Sequence, residues 1–127
     1  MPPYTFSTTV KNYPKLIPYE TIKNDVLGKH YSLSFILVGK TRAKKINQAT
    51  RKKDYVPNVL SFPLDKNCGE IILCPEVAGP EAKDFYMSED GYIAFLFIHG
   101  LLHLKGYDHG TAMEKMEKRF VVKYGLV

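Results

Sequence analysis

Polar and apolar positions change rhythm several times along the chain, and each rhythm predicts an element. Tyr4–Val10 interleaves aromatic and β-branched residues, which predicts a first strand, interrupted afterwards by Pro14 and Pro18. From about Pro18 to Leu27 the apolar Ile22 and Val26 stand four apart and Gly28 follows as a stop, the spacing of a short amphipathic helix. Tyr31–Val38 (YSLSFILV) alternates and then turns continuously apolar, a buried strand ended by Gly39. Thr41 is a suitable N-cap for a basic helix continuing through Ala43, Ile46 and Ala49. Val56–Phe62 predicts a strand bounded by Pro57 and Pro63. Proline cannot donate to a ladder, so this strand belongs at a sheet edge. Gly69–Leu73 supplies a fourth strand, and Pro75, Gly79 and Pro80 predict a loop after it. Ser88, followed three residues on by Gly91, opens a long apolar helix to about Leu104, and Thr111 caps a last helix through Glu114, Met116, Glu117 and Phe120. Helices stand between and after the strands without strict alternation. The expected fold is therefore α+β: a small mixed four-stranded sheet with packed helices. Strand order does not follow from the pattern.

A length of 127 residues fits one domain, spanning residues 1–127. Apolar residues at 45% and charged residues at 24% match ordinary globular chains and exclude wholesale disorder, collagen and coiled coil. The longest apolar stretch, Gly91–Leu104, is too short to span a bilayer and carries two histidines. The start, MPPYTFSTTV, has neither the charged nor the apolar region of a signal peptide, so a cytoplasmic protein is expected. Cys68 and Cys74 are six apart around an apolar run. On a strand their Cα atoms would stand about 20 Å from each other, beyond the roughly 4.4–6.8 Å that a disulfide needs, so two thiols are expected. The 18 Lys and Arg against 13 Asp and Glu leave a net charge of +5. That excess is mild, but it gathers at Lys40, Arg42, Lys44, Lys45, Arg51, Lys52 and Lys53, a distribution compatible with phosphate backbones.

Chemistry concentrates in HGLLHLKGYDH, where His99, His103 and His109 fall within eleven residues. On a helix His99 and His103 are about 40° apart and about 6 Å along the axis, so both imidazoles project from one face. Gly106 can end the helix in the left-handed conformation and turn the chain back, letting His109 close a triangle. Three neutral imidazoles leave one tetrahedral position for water, the pattern of a catalytic zinc site. Such an ion lowers the pKa of its water to about 7. The competing reading is that these histidines merely cap and pack a helix end. The spacing, with a glycine three after the second histidine, is that of zincin-type peptidases of the metzincin group. Their general-base glutamate follows the first histidine, where this chain has Gly100, so a peptidase loses its base. Phosphodiester cleavage is the natural alternative, because metal and cationic groups stabilise charge growing on phosphoryl oxygens.

HGLLHLKGYDH resembles the signature of the YbeY family of rRNA maturation factors, metal-dependent endoribonucleases whose pattern is close to HGxLHLxGYDH. RKKDYVPNVLSFP (Arg51–Pro63) and GEIILCPEVA (Gly69–Ala78) resemble further family segments in the same order. The resemblance covers roughly the C-terminal two thirds, while residues 1–40 share only the coarse order of elements. It implies a zinc-dependent endoribonuclease preferring single strands, acting in small-subunit 3′ end maturation and ribosome quality control. Its partners would be ribosomal RNA and the small subunit or a ribosomal protein, with no membrane. By position it implies His99, His103 and His109 as metal ligands and Arg51 as the functional arginine. Arg51 suits that role, since a planar, permanently charged fork grips a phosphate in two places; otherwise it is a solvated charge in an RKK run. Zinc is favoured, although imidazoles also suit nickel or copper. A non-catalytic, zinc-stabilised assembly factor is the alternative from a different class, and a metallopeptidase the third.

Other residues carry two readings each. Ser61 either faces the cleft and holds a phosphate or water, or occupies the solvent side of its strand. Asp108 either orients an imidazole or caps the turn. Met113 or Met116 would lie beneath the metal or, as helical spacing favours, in the core. His30 is expected at the surface.

Overall fold

Alternation in Ser32–Leu37 places Leu33, Phe35 and Leu37 on one face of a strand, and all three are buried. The computed structural model describes residues 2–126. Its strands are β1 (Tyr4–Thr8), β2 (Ser32–Leu37), β3 (Val59–Asp65) and β4 (Cys68–Leu73). Its helices are α1 (Tyr19–Leu27), α2 (Lys40–Arg51), α3 (Pro75–Glu81), α4 (Glu89–Lys105) and α5 (Thr111–Lys123), with a 3-10 turn at Ala82–Phe85. The sheet order is β1-β2-β4-β3. β1, β2 and β4 run parallel, and β3 pairs antiparallel with β4 at the edge. Parallel neighbours need crossovers, supplied by α1 between β1 and β2 and by α2 with β3 between β2 and β4. The α+β class, the four strands and the edge position of β3 agree with the sequence pattern. Pro63 lies within β3 opposite Gly69, and the register shifts between Pro63 and Asp65.

The two sheet faces are covered unequally. On one, Leu33, Phe35, Leu37, Ile71 and Leu73 pack with Ile22 and Val26 of α1, Phe97, Ile98 and Leu101 of α4, and Met113 and Phe120 of α5. Helix α4 is apolar nearly all round and sits at the centre of this layer, its residues from Gly91 to Leu102 buried except Phe95 and His99. Tyr19, Phe35 and Phe97 meet with ring centroids 4.5 to 5.2 Å apart. The other face holds a smaller cluster of Val38, Leu60, Ile72 and Cys74 beneath Ala43 and Ile46 of α2.

Several boundaries differ from expectation for local reasons. The expected loop at Pro75–Pro80 is helix α3: Pro75 occupies the first turn, where the missing N–H is not needed. Gly39 and Gly110, rather than Thr41 and Thr111, flank the starts of α2 and α5. Gly110 has φ +151°, a conformation open to glycine. Ser88 caps α4 as expected, its Oγ accepting from Gly91 N–H at 3.0 Å. The third strand begins at Val59 rather than Val56, because Asn47 Nδ2 donates to the Tyr55 carbonyl at 3.1 Å and ties the preceding segment to α2. Cys68 and Cys74, at opposite ends of β4, are both thiols. Met113 is core and Met116 packs beside it, while His30 is exposed.

Candidate metal centre

The site is built at the C-terminal end of α4. His99 and His103 project from one face, their ring centroids 4.6 Å apart. Each Nδ1 meets an oxygen that only accepts: Glu117 Oε2 at 2.7 Å from His99, and the Tyr107 carbonyl at 3.0 Å from His103. Each Nδ1 therefore carries a proton, and in a neutral ring that leaves the Nε2 lone pair free. Those two Nε2 atoms face one another at 3.1 Å. Two lone pairs so placed repel unless a cation or a proton stands between them. Nitrogens held at ~2.0–2.1 Å by a tetrahedral ion would lie about 3.3 Å apart, so the arrangement fits a metal.

Gly106 brings the third imidazole in. It has φ +111°, with its N–H donating to the His103 carbonyl at 3.0 Å and Tyr107 N–H to the Leu102 carbonyl at 3.0 Å. This is a Schellman end, which satisfies orphan carbonyls and reverses the chain. The same turn aims the Tyr107 carbonyl at His103 and carries His109 back across the helix end. His109 comes to 5.2 Å from His99 and 4.7 Å from His103 between ring centroids. One ligand atom from each histidine lies within 4.8 Å of the others, close enough to hold one ion. Burial, with His99 next, lowers the pKa of His103 below the ordinary imidazole value and favours the neutral form that ligates.

Beside the histidines a cleft of about 390 Å³ runs between α4 and β3, lined by Arg51, Leu60, Ser61, Phe62, His99 and His103. Arg51, Ser61, His99 and His103 thus line one cleft, and His109 stands beside the other two histidines. Arg51, exposed at the end of α2, donates from Nη1 to Asn47 Oδ1 at 3.3 Å and to Tyr55 OH at 3.4 Å. Ser61 Oγ donates to the Gly100 carbonyl at 3.2 Å, which places Ser61 on the α4 side of its strand. A Cβ at position 100 would stand 2.9 Å from Ser61 Oγ and 3.1 Å from Ile71 Cδ1, so the helix approaches the sheet through the space a side chain would fill.

Two contributors escaped the sequence reading. Asn47 is fully buried and holds both Arg51 and the segment leading to β3. Glu117 Oε2 lies 2.7 Å from His99 Nδ1, whereas Asp108 is exposed. Glu117 had left a trace: it falls with Met113, Met116 and Phe120 on the inward stripe of α5, a charged residue at an apolar position.

The family model described as Endoribonuclease YbeY matches residues 5–123. A protein named Endoribonuclease YbeY from Thermotoga neapolitana is 36% identical over 107 residues, covering 80% of this chain and 70% of its own. One of the same name from Bdellovibrio bacteriovorus is 31% identical over 119 residues, covering 90% of this chain and 79% of its own. The solution structure of TM1509 from Thermotoga maritima matches with a TM-score of 0.65 at 27% identity, over 92% of this chain and 87% of that one. The likeness therefore extends into the N-terminal part, where the sequence motifs gave only element order. With the imidazole triangle, the sheet and both relatives in agreement, the chain belongs to the YbeY endoribonuclease family.

Proposed function

We propose that the protein is a zinc-dependent endoribonuclease that cleaves single-stranded RNA during ribosomal RNA processing in the cytoplasm, at the small-subunit 3′ end and in ribosome quality control. The observation that carries the reading is the convergence of His99, His103 and His109 beside a cleft walled by Arg51. His99, His103 and His109 would hold the ion. An all-imidazole set with an open side suits zinc. When bound, zinc supplies Lewis-acid polarisation and activates water at neutral pH.

The chain's own side chains do the rest. Arg51 Nη1 is engaged by Asn47 and Tyr55, which leaves the other guanidinium N–H groups for the scissile phosphate and the charge that builds on it. The Ser61 hydroxyl proton is committed to the Gly100 carbonyl, so its oxygen faces the cleft as an acceptor, suited to a ribose hydroxyl or a water rather than a phosphate. Leu60 and Phe62 add apolar wall. Peptide hydrolysis is disfavoured twice: Gly100 offers no carboxylate, and a side chain there meets Ser61 and Ile71. The basic run on and after α2 adds attraction for an RNA backbone, whether of free rRNA or of the small subunit. No helix among the described residues is long and apolar enough to cross a membrane.

The test is cleavage of a labelled single-stranded RNA by zinc-loaded protein. Cleavage should cease with chelator, return with zinc, and fall in His103→Ala. Zinc-loaded wild type that binds the RNA yet leaves it intact would overturn the enzyme in favour of a zinc-stabilised assembly factor.

A further inference from the structure

We infer that Glu117 is a positioning residue that sets the tautomer of His99 and raises its strength as a metal donor, an inference that rests on the metal reading above. The starting observation is a carboxylate out of place. Glu117 shares the inward stripe of α5 with Met113 and Phe120, and its side chain is only 12% exposed. A carboxylate this far from water is costly unless paired. Its partner is His99 Nδ1, 2.7 Å from Oε2, on a different helix and 18 residues earlier. The charge–dipole contact therefore joins α5 to α4 at the metal centre.

The geometry has a direct chemical consequence. A carboxylate accepts and cannot donate, so Nδ1 of His99 holds the proton and Nε2 is left to ligate. Glu117 holds the His99 ring at Nδ1, and at the other nitrogen Nε2 faces His103 Nε2 at 3.1 Å. His103 is oriented by a different kind of partner, the neutral Tyr107 carbonyl at 3.0 Å. For His109, among the described residues, no hydrogen-bond partner to the ring is found. The three ligands thus form a graded set: His99 backed by a full negative charge, His103 by a dipole, and the exposed His109 by neither. Negative charge behind an imidazole increases the basicity of its distal nitrogen. His99 is accordingly the anchor of the centre, and α5 is part of the site as well as part of the core.

The experiment is a zinc competition titration against a chromophoric chelator at fixed pH, for wild type, Glu117→Gln and Glu117→Ala. Removing such an outer partner weakens metal binding roughly 10–100-fold, and that is the loss expected for Glu117→Ala. Glu117→Gln keeps the shape and one acceptor oxygen but not the charge, so a smaller loss, still clear of wild type, is expected. Proton NMR of the zinc-loaded protein supplies a second readout that a purely structural role would not move: a low-field His99 Nδ1–H signal in wild type, lost in Glu117→Ala. Should the alanine variant fail to fold, the glutamine variant carries the test, and zinc affinity equal to wild type overturns the inference. Folded Glu117→Ala that binds zinc as tightly as wild type overturns it equally. Wild type that binds no zinc defeats the metal reading itself, which keeps the two failures apart.

Discussion

The two faces of the sheet are built to different standards. Against one face lie α1, α4 and α5, and the layer between holds Phe35, Phe97, Ile98 and Leu101 with no exposure at all. Against the other lies chiefly α2, a twelve-residue helix in which only Ala43 and Asn47 are buried, with Val77 of α3 packed at the margin. The proposed ligands His99 and His103 rise from the thick side and Arg51 from the thin side, with the β3 edge between them. A metal centre needs ligands held to within a fraction of an ångström, which close-packed surroundings provide. A side chain that follows a flexible RNA backbone needs less restraint. Arg51 is exposed and steadied by two long hydrogen bonds, whereas the His99 contact to Glu117 is short and mostly shielded from water.

Truncation in the thick layer should cost most. Phe97→Ala is expected to lose about 3–5 kcal/mol of unfolding free energy, whereas half-buried Ile46→Ala on α2 should lose under about 2 kcal/mol, with denaturant unfolding as the measure. Equal losses would erase the distinction between the faces. Arg51→Ala should reverse the order. Turnover on single-stranded RNA is expected to drop roughly 10²-fold, as for loss of one donor to a charged transition state, with stability within about 0.5 kcal/mol of wild type and zinc content unchanged. Gly106→Ala comes next. A Cβ there meets nothing within 4 Å, so the cost of about 1–2 kcal/mol is the left-handed backbone alone, and zinc affinity should fall with it because Tyr107 and His109 follow the turn.

The smallest effect lies away from both the cleft and the centre. Asp25 accepts from Lys123 and, at 2.8 Å, from Tyr124 OH, and these bonds hold its carboxyl below the usual range. A depressed folded value means the stabilisation is present at neutral pH and is lost as acid carries the solution down through that value. The pair is partly exposed, so Asp25→Asn should cost under about 1 kcal/mol at pH 7, and the difference from wild type should vanish in acid. Growth of the difference on acidification would contradict the assigned direction.

Local geometry was legible in the chain, and long-range geometry was not. His99 and His103 follow from one helical turn, Gly106 from its conformational freedom, and Ser88 from capping chemistry, all fixed within a few residues. Met113 was readable as core from helical spacing. By contrast, the insertion of β4 between β2 and β3 depends on pairing between distant segments, which periodicity does not encode. Glu117 reaches His99 only because α5 packs on α4, and Asn47 reaches Tyr55 only because the chain folds back after α2. Helix α3 was hidden for another reason: proline is both a helix breaker and a favoured first-turn residue, and the pattern of Pro75, Gly79 and Pro80 showed the breaker alone.

The proposed function depends on the Schellman turn at Gly106 completing a three-imidazole centre for one divalent ion. Native mass spectrometry of the folded chain with limiting zinc tests this most directly, run beside His99→Ala, His103→Ala and His109→Ala. A single zinc per wild-type chain is expected, with reduced occupancy in all three variants. Undiminished occupancy in His109→Ala would show that the turn does not deliver a ligand, and undiminished occupancy in all three would place the ion elsewhere.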